Sequence, residues 1–168
     1  SPVKYDELVG LARATADPQV LMVGKGSPIK TAQELVSAGK SRNLKVGVTH
    51  VGSIDHISLI GFARKAGLQA PTAVPFRGGG DIVINVGGGN LDFGMLNYAE
   101  GESQIKAGDV RPIMVLARQR MKVLPNVPTA KEVGIDAEYS TVRGFATLKG
   151  VPDDRLKILE DGLMKSSL

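Results

Sequence analysis

The chain has 168 residues, 42% hydrophobic and 23% charged, the proportions of a globular protein with room for a sizeable core and unlike a disordered or fibrous one. Lys and Arg outnumber Asp and Glu by 21 to 17, a mild preference for anionic partners. The cations are scattered and aromatics make up only 4%, so nucleic acid is not the expected partner. Cysteine is absent, which excludes disulfides, thiolate nucleophiles and cysteine-ligated metals. No run of about 18 apolar residues is available to cross a membrane.

In chain order, residues 5–13 have helical spacing, and "ATADPQ" (14–19) reads as a chain crossing. "QVLMVG" (19–24) is the first strand candidate. Thr31 announces a helix over 31–39, "LKVGVT" (44–49) is a strand, and Ser53 opens a helix that stops at Gly67. "TAVPF" (72–76) and "LDFGML" (91–96) are strands separated by a short helix at 80–86. A helix over 98–107 ends at Gly108, and "VRPIMVLA" (110–117) is the next strand. Residues 118–140 form a second crossing, rich in breakers around a short helix at 129–134. "STVRGFATL" (140–148) is the last strand and 152–165 the last helix. Strand alternating with helix predicts an α/β fold with a mostly parallel, doubly wound sheet covered on both faces.

"HVGSIDH" (50–56) gathers both histidines with a serine and an aspartate. A catalytic triad is disfavoured, because Asp55 and His56 are neighbours about 100° apart around a helix and Asp55 is poorly placed to orient the ring toward Ser53. Zinc is disfavoured too, since two histidines six apart lack helical ligand spacing. What remains is a helix start. Either Ser53 simply caps its own helix, or the exposed N–H groups of residues 51 to 54 and the Ser53 hydroxyl hold a ligand carboxylate. "PFRGGGD" (75–81) is neither a Walker loop nor G-x-G-x-x-G. Its glycines either make a tight turn or let a ligand approach the main chain beside Arg77. Asn97 follows a strand end and is either a helix cap or a ligand contact, and Met95 and Leu96 read as core or pocket wall. Three helix starts after three strand ends gather along one edge of a doubly wound sheet, where ligands bind.

"VGSIDH…ARKAGL", "VPFRGGGDIV…GGGNLDFG", "EGESQIKAGDVRPIMVLA" and "LPNVPTAKEVGIDAEYSTVRGFATLKGVP", in this order, resemble the extracytoplasmic solute receptors of tripartite tricarboxylate transporters, the Bug receptors. The resemblance implies a type II, Venus-flytrap fold like that of periplasmic binding proteins. It implies a receptor that is not an enzyme, has no cofactor, and delivers a small organic carboxylate to membrane permease subunits. It also implies a periplasmic location, with the signal peptide and part of the first lobe lying outside these residues. Residues 1–22 then correspond to a first-lobe remnant and crossing, 23–138 to the second lobe, and 139–168 to a crossing strand and first-lobe remnant. The family's ligand loops fall on Gly52, Ser53 and His56, on Arg77, Gly78, Gly79 and Gly80, and on Leu96 and Asn97. Two departures accompany the likeness: Val142 stands where related receptors commonly have tryptophan, and residues 96 to 98 are bulkier than usual.

Two other functions compete. A ligand-sensing domain of a transcription regulator shares the two-lobed architecture and needs a DNA-binding motif upstream. A hydrolase of the α/β class needs a nucleophile and base, which the sequence does not assemble. A single lobe also exposes crossing strands and apolar surface, which leaves dimerisation or strand exchange open to it.

Overall fold

The structure, a computed structural model, describes residues 3–166. It divides into two compact units, Pro18–Ser140 and the described residues of Ser1–Asp17 with Thr141–Leu168.

The larger unit contains the inner part of β1 (Leu8–Gly24), then α1 (Ala32–Ser41), β2 (Lys45–Val48), α2 (Ile54–Ala66), β3 (Thr72–Pro75), α3 (Gly79–Gly87), β4 (Phe93–Asn97), α4 (Tyr98–Ala107) and β5 (Val110–Val115). The strands lie in the order β3-β2-β4-β1-β5. β2 runs parallel to β3, with Val48 opposite Pro75, and to β4, with Gly47 opposite Gly94. β1 runs antiparallel to β4 and β5, pairing Val20 with Leu96 and with Val115. Four strands therefore share one direction and β1 is inserted against them. The doubly wound arrangement is the expected one. The reversed strand is not visible in a strand–helix alternation, which carries no information on the direction of its first member.

Side chains alternate across the sheet and divide the core in two. Leu21, Val23, Val46, Val48, Phe93 and Met95 pack on one face with α1 and α2, through Leu35, Leu59 and Phe62. Val20, Met22, Leu96 and Val115 pack on the other face with α3, through Ile82, Val83 and Val86, and with Ile105 of α4. Burying each such side chain contributes about 1.5–3 kcal/mol before ordering costs are subtracted. All five residues of β4 are buried, as expected of a strand covered on both sides. The helices start and stop on local signals. At α1, the Thr31 hydroxyl accepts the Glu34 N–H while the Glu34 carboxylate accepts the Thr31 N–H, both at 3.1 Å, a reciprocal capping box. α2 stops at Gly67, whose φ of 66° favours a residue without Cβ.

In the smaller unit, the outer part of β1 pairs with β6 (Ser140–Leu148), and α5 (Asp153–Ser166) follows with no buried residue. Arg143 bonds Asp17 at 2.9 Å, and the Lys149 N–H donates to the Glu7 carbonyl at 2.9 Å. The helix expected at 5–13 is absent: Tyr5–Glu7 forms a 3-10 turn and Leu8 onward is strand. Pairing with β6, more than a hundred residues away, overrides a weak local helical pattern. The helix expected at 129–134 shrinks to a 3-10 turn at Lys131–Val133.

Candidate functional site

Because β3, β2 and β4 are parallel neighbours, their carboxyl ends share one edge of the sheet. The chain leaves β2 toward the α2 face and leaves β4 toward the opposite, α4 face. Adjacent strands whose outgoing loops part to opposite faces leave a crevice between them, the usual ligand position in doubly wound sheets. Ser53 and Asn97 sit at its two sides, as the N-cap residues of α2 and α4.

The α2 start is densely bonded. Gly52 has a φ of 84°, a left-handed turn that favours glycine. Its N–H donates to His56 Nδ1 at 3.0 Å, and the Ser53 N–H donates to the His50 carbonyl at 3.1 Å. The buried Ser53 hydroxyl accepts the His56 N–H at 3.2 Å and keeps its own proton to donate. The open amides are therefore those of Ile54 and Asp55, the first two of the helix proper, while the Gly52 and Ser53 amides expected to meet a ligand are taken internally. Asp55 is buried and turned back to β2, where it accepts the Thr49 hydroxyl at 2.7 Å and the Thr49 N–H at 3.3 Å. Ser53, His56 and Asp55 thus form no relay: the nitrogen an aspartate would orient is occupied by Gly52, and the aspartate holds a threonine.

The other two starts differ in charge. α3 begins at Gly78 and Gly79 with no side-chain cap. Arg77 and Gly80 are exposed, Gly78 is half-buried, and Gly79 is buried, with the Glu100 side chain packed where a Cβ would stand. The Glu100 carboxylate also accepts the Asn97 N–H at 3.0 Å. One glutamate therefore lies against the first residue of α3 and closes the start of α4. The buried Asn97 Oδ1 accepts a bond from Gln19 Nε2 of β1 at 3.0 Å. Leu96 is fully buried in the core beneath the crevice, packed with the α3 side chains rather than opening outward.

Glu100 was within reach of sequence reasoning, since Asn97 and Glu100 have capping-box spacing. Gln19 was not, being 78 residues from its partner. A separate cavity of about 350 Å³ opens at the opposite edge of the sheet, lined by Gly24, Ser27, Gly88 and Asp92 among others. Its aspartate is already held by Arg42 at 2.5 Å, and the cavity has no part in the crevice.

An α/β unit with a reversed strand in its sheet and a crevice at the switch of winding has the architecture of a periplasmic binding protein. The chain belongs to the tripartite tricarboxylate transporter family of receptors, whose family model matches residues 2–168. A UPF0065 protein encoded in the gbd 5′ region of Cupriavidus necator is 26% identical over 148 residues, covering 87% of this chain and 45% of that protein. The crystal structure of a TctC solute-binding protein from Polaromonas, without ligand, superposes with a TM-score of 0.87 at 27% identity, covering 99% of this chain and 58% of that one. MatC from Rhodopseudomonas palustris, solved with bound malate, gives a TM-score of 0.78 at 26% identity, covering 95% of this chain and 55% of that one. The chain thus spans about half the length of the proteins it matches.

Proposed function

We propose that the Pro18–Ser140 unit is the second lobe of a receptor that binds a small organic carboxylate outside the cytoplasm and delivers it to the permease subunits of a tripartite transporter. The observation that carries this reading is the α2 terminus at the switch of winding, where the Ile54 and Asp55 amides and the Ser53 hydroxyl are open beside a crevice in a chain of a receptor family. Amides at a helix start form an anion site because they are unpaired donors at the positive end of the helix dipole. His56 and Arg77 add side-chain donors, Gly78 and Gly80 allow close approach to the main chain beside the Gly79 start that Glu100 covers, and Gly52 and Asn97 frame the sides. The receptor holds its ligand without transforming it. A periplasmic location fits the family, and among the described residues no helix is long and apolar enough to cross a membrane.

Calorimetry on the complete, mature receptor with malate, succinate, adipate and citrate tests this. Binding of at least one acid at micromolar or better affinity is expected; no heat with any of them overturns the reading. Ser53→Ala should weaken that binding and, through the lost cap, cost about 1 kcal/mol of stability in denaturant titration.

A further inference from the structure

α2 is apolar on two sides. At about 100° per residue, Asp55, Ser58, Leu59, Phe62 and Ala66 line the side turned to the sheet and are buried. At the opposite pole, farthest from the core, stand Ile57, Ile60 and Arg64. The two isoleucines are 56% and 55% exposed, and Ile54, at 39%, extends the ridge toward the helix start. A surface helix of a globular protein keeps that pole polar. α1 and α4 do so, with Gln33, Ser37 and Lys40 exposed on the first and Ser103 and Lys106 on the second. The ridge also has charge of one sign. The sole acid of α2, Asp55, is buried and bonded to Thr49, while Arg64 is exposed and has no ion pair among the described residues.

We propose that Ile57, Ile60 and Arg64 form the surface by which the receptor docks on its permease subunits, and that the partner presents an apolar depression edged by a carboxylate that meets Arg64. Area, composition and charge select this occupant. Three or four side chains cover far less than the roughly 800 Å² that each partner of a stable complex buries. Such a patch is too small for a permanent dimer of this chain and suits a contact that forms and breaks at each delivery. A helix that lies on a lipid surface has several Lys and Arg on its polar face and aromatic residues on the other. The ridge has one cation, Phe62 is the only aromatic of α2 and is buried, and Lys65 is drawn aside to the Asp136 carbonyl at 2.6 Å. An unpaired guanidinium beside branched apolar side chains is complemented by a carboxylate at the rim of an apolar pocket. This deepens the receptor reading above and rests on it.

The test places the complete, mature receptor with its own permease subunits in liposomes and reads uptake of the tightest-binding acid of the panel against receptor concentration. Ile57→Ser combined with Ile60→Ser should keep the unfolding midpoint, since both sites are exposed and serine and isoleucine have similar helix propensities. It should also keep affinity for the acid within about twofold, while half-maximal uptake requires about tenfold more receptor or beyond. Arg64→Gln should bind the acid as before and flatten the salt dependence of uptake, because a charge at the rim of a contact acts on the encounter. An unchanged half-maximal concentration in the double variant, or an unchanged salt dependence in Arg64→Gln, overturns the proposal. Equal binding of the unaltered receptor to liposomes without permease assigns the ridge to lipid and overturns it too. So does a dimer in sedimentation that the double variant converts to monomer, or a lowered midpoint in that variant, which assigns the ridge to another part of the receptor. All of these leave acid binding, and with it the carboxylate reading, standing. If the unaltered receptor binds its acid but drives no uptake, delivery to a permease fails and this inference falls with it; if it binds no acid, the receptor reading itself fails.

Discussion

Glu132 illustrates how single residues stabilise the irregular stretch after β5. Its carboxylate accepts bonds from Arg120, with the closest approach at 2.8 Å, and the Thr129 N–H at 2.8 Å. The Arg120 guanidinium first and the Thr129 amide second hold its carboxyl well below the ordinary value of 4.5, at about 2. A carboxyl depressed by folding contributes stability that is complete above its unfolded value and disappears as pH falls through its folded one. The window is therefore pH 4.5 down to about 2. Urea titrations at pH 5, 4 and 3 should show that Glu132→Gln flattens the acid-side loss of stability while its effect is greatest near neutrality; identical pH profiles for both proteins would exclude the mechanism. At this scale the sequence was informative where bonding is local. Ser53 as a cap and Asp55 in a first helical turn were both legible, but the pull of Thr49 on Asp55 depended on the loop's path. The bond from Gly52 to His56 Nδ1 also needs a left-handed turn whose residue can be guessed from sequence but whose hydrogen-bond direction cannot.

Among the elements, β2 shows how tightly the two layers are fitted. Val46 and Val48 point to the α2 face, while Gly47 points to the α3 face, where an added Cβ would stand 2.5 Å from Ile82 Cγ2 and 2.9 Å from Leu91 Cδ1. Both neighbours are buried, so Gly47→Ala should overpack the core and cost about 1–3 kcal/mol, measured as a lower denaturant midpoint with an unchanged slope. A neutral result would show that α3 can shift freely away from the sheet. The same layering explains which elements were legible. β2, β4 and β5 are compact apolar runs between clear breakers, so period and punctuation agreed. The N-terminal segment failed because its apolar residues at 8, 9, 11 and 12 fit a helix or a strand, and only the distant partner β6 decides between them. The reversal of β1 was hidden for a related reason: strand direction is set by the route of the chain through space, not by the strand's own composition.

The two units differ sharply in how they are stabilised. Among the described residues, the Pro18–Ser140 unit contains every buried apolar side chain, including Val20, Leu21 and Val23 at 0% exposure. In the smaller unit Val142, Phe145, Leu148, Ile158, Leu159 and Met164 are exposed. Hydrogen exchange should accordingly find the amides of residues 20–23 among the slowest and those of α5 among the fastest, since protection follows buried contacts. Comparable protection in both would contradict this division. Apolar surface of that kind also promotes association, so light scattering of the 168-residue chain should give a mass above 17.7 kDa at micromolar concentration, and a strict monomer would show that the surface is covered in another way. The placement of β1 bears on how such a chain is made. Its inner residues lie between β4 and β5, and Gln19 meets a partner 78 positions downstream. During synthesis this strand, one of the most enclosed of the unit, is made before either of its neighbours β4 and β5 and stays unpaired until they follow. Assembly of the Pro18–Ser140 unit therefore closes around a strand made before both of its neighbours, and a pause in translation before residue 110 would prolong the time that this sticky stretch is unprotected.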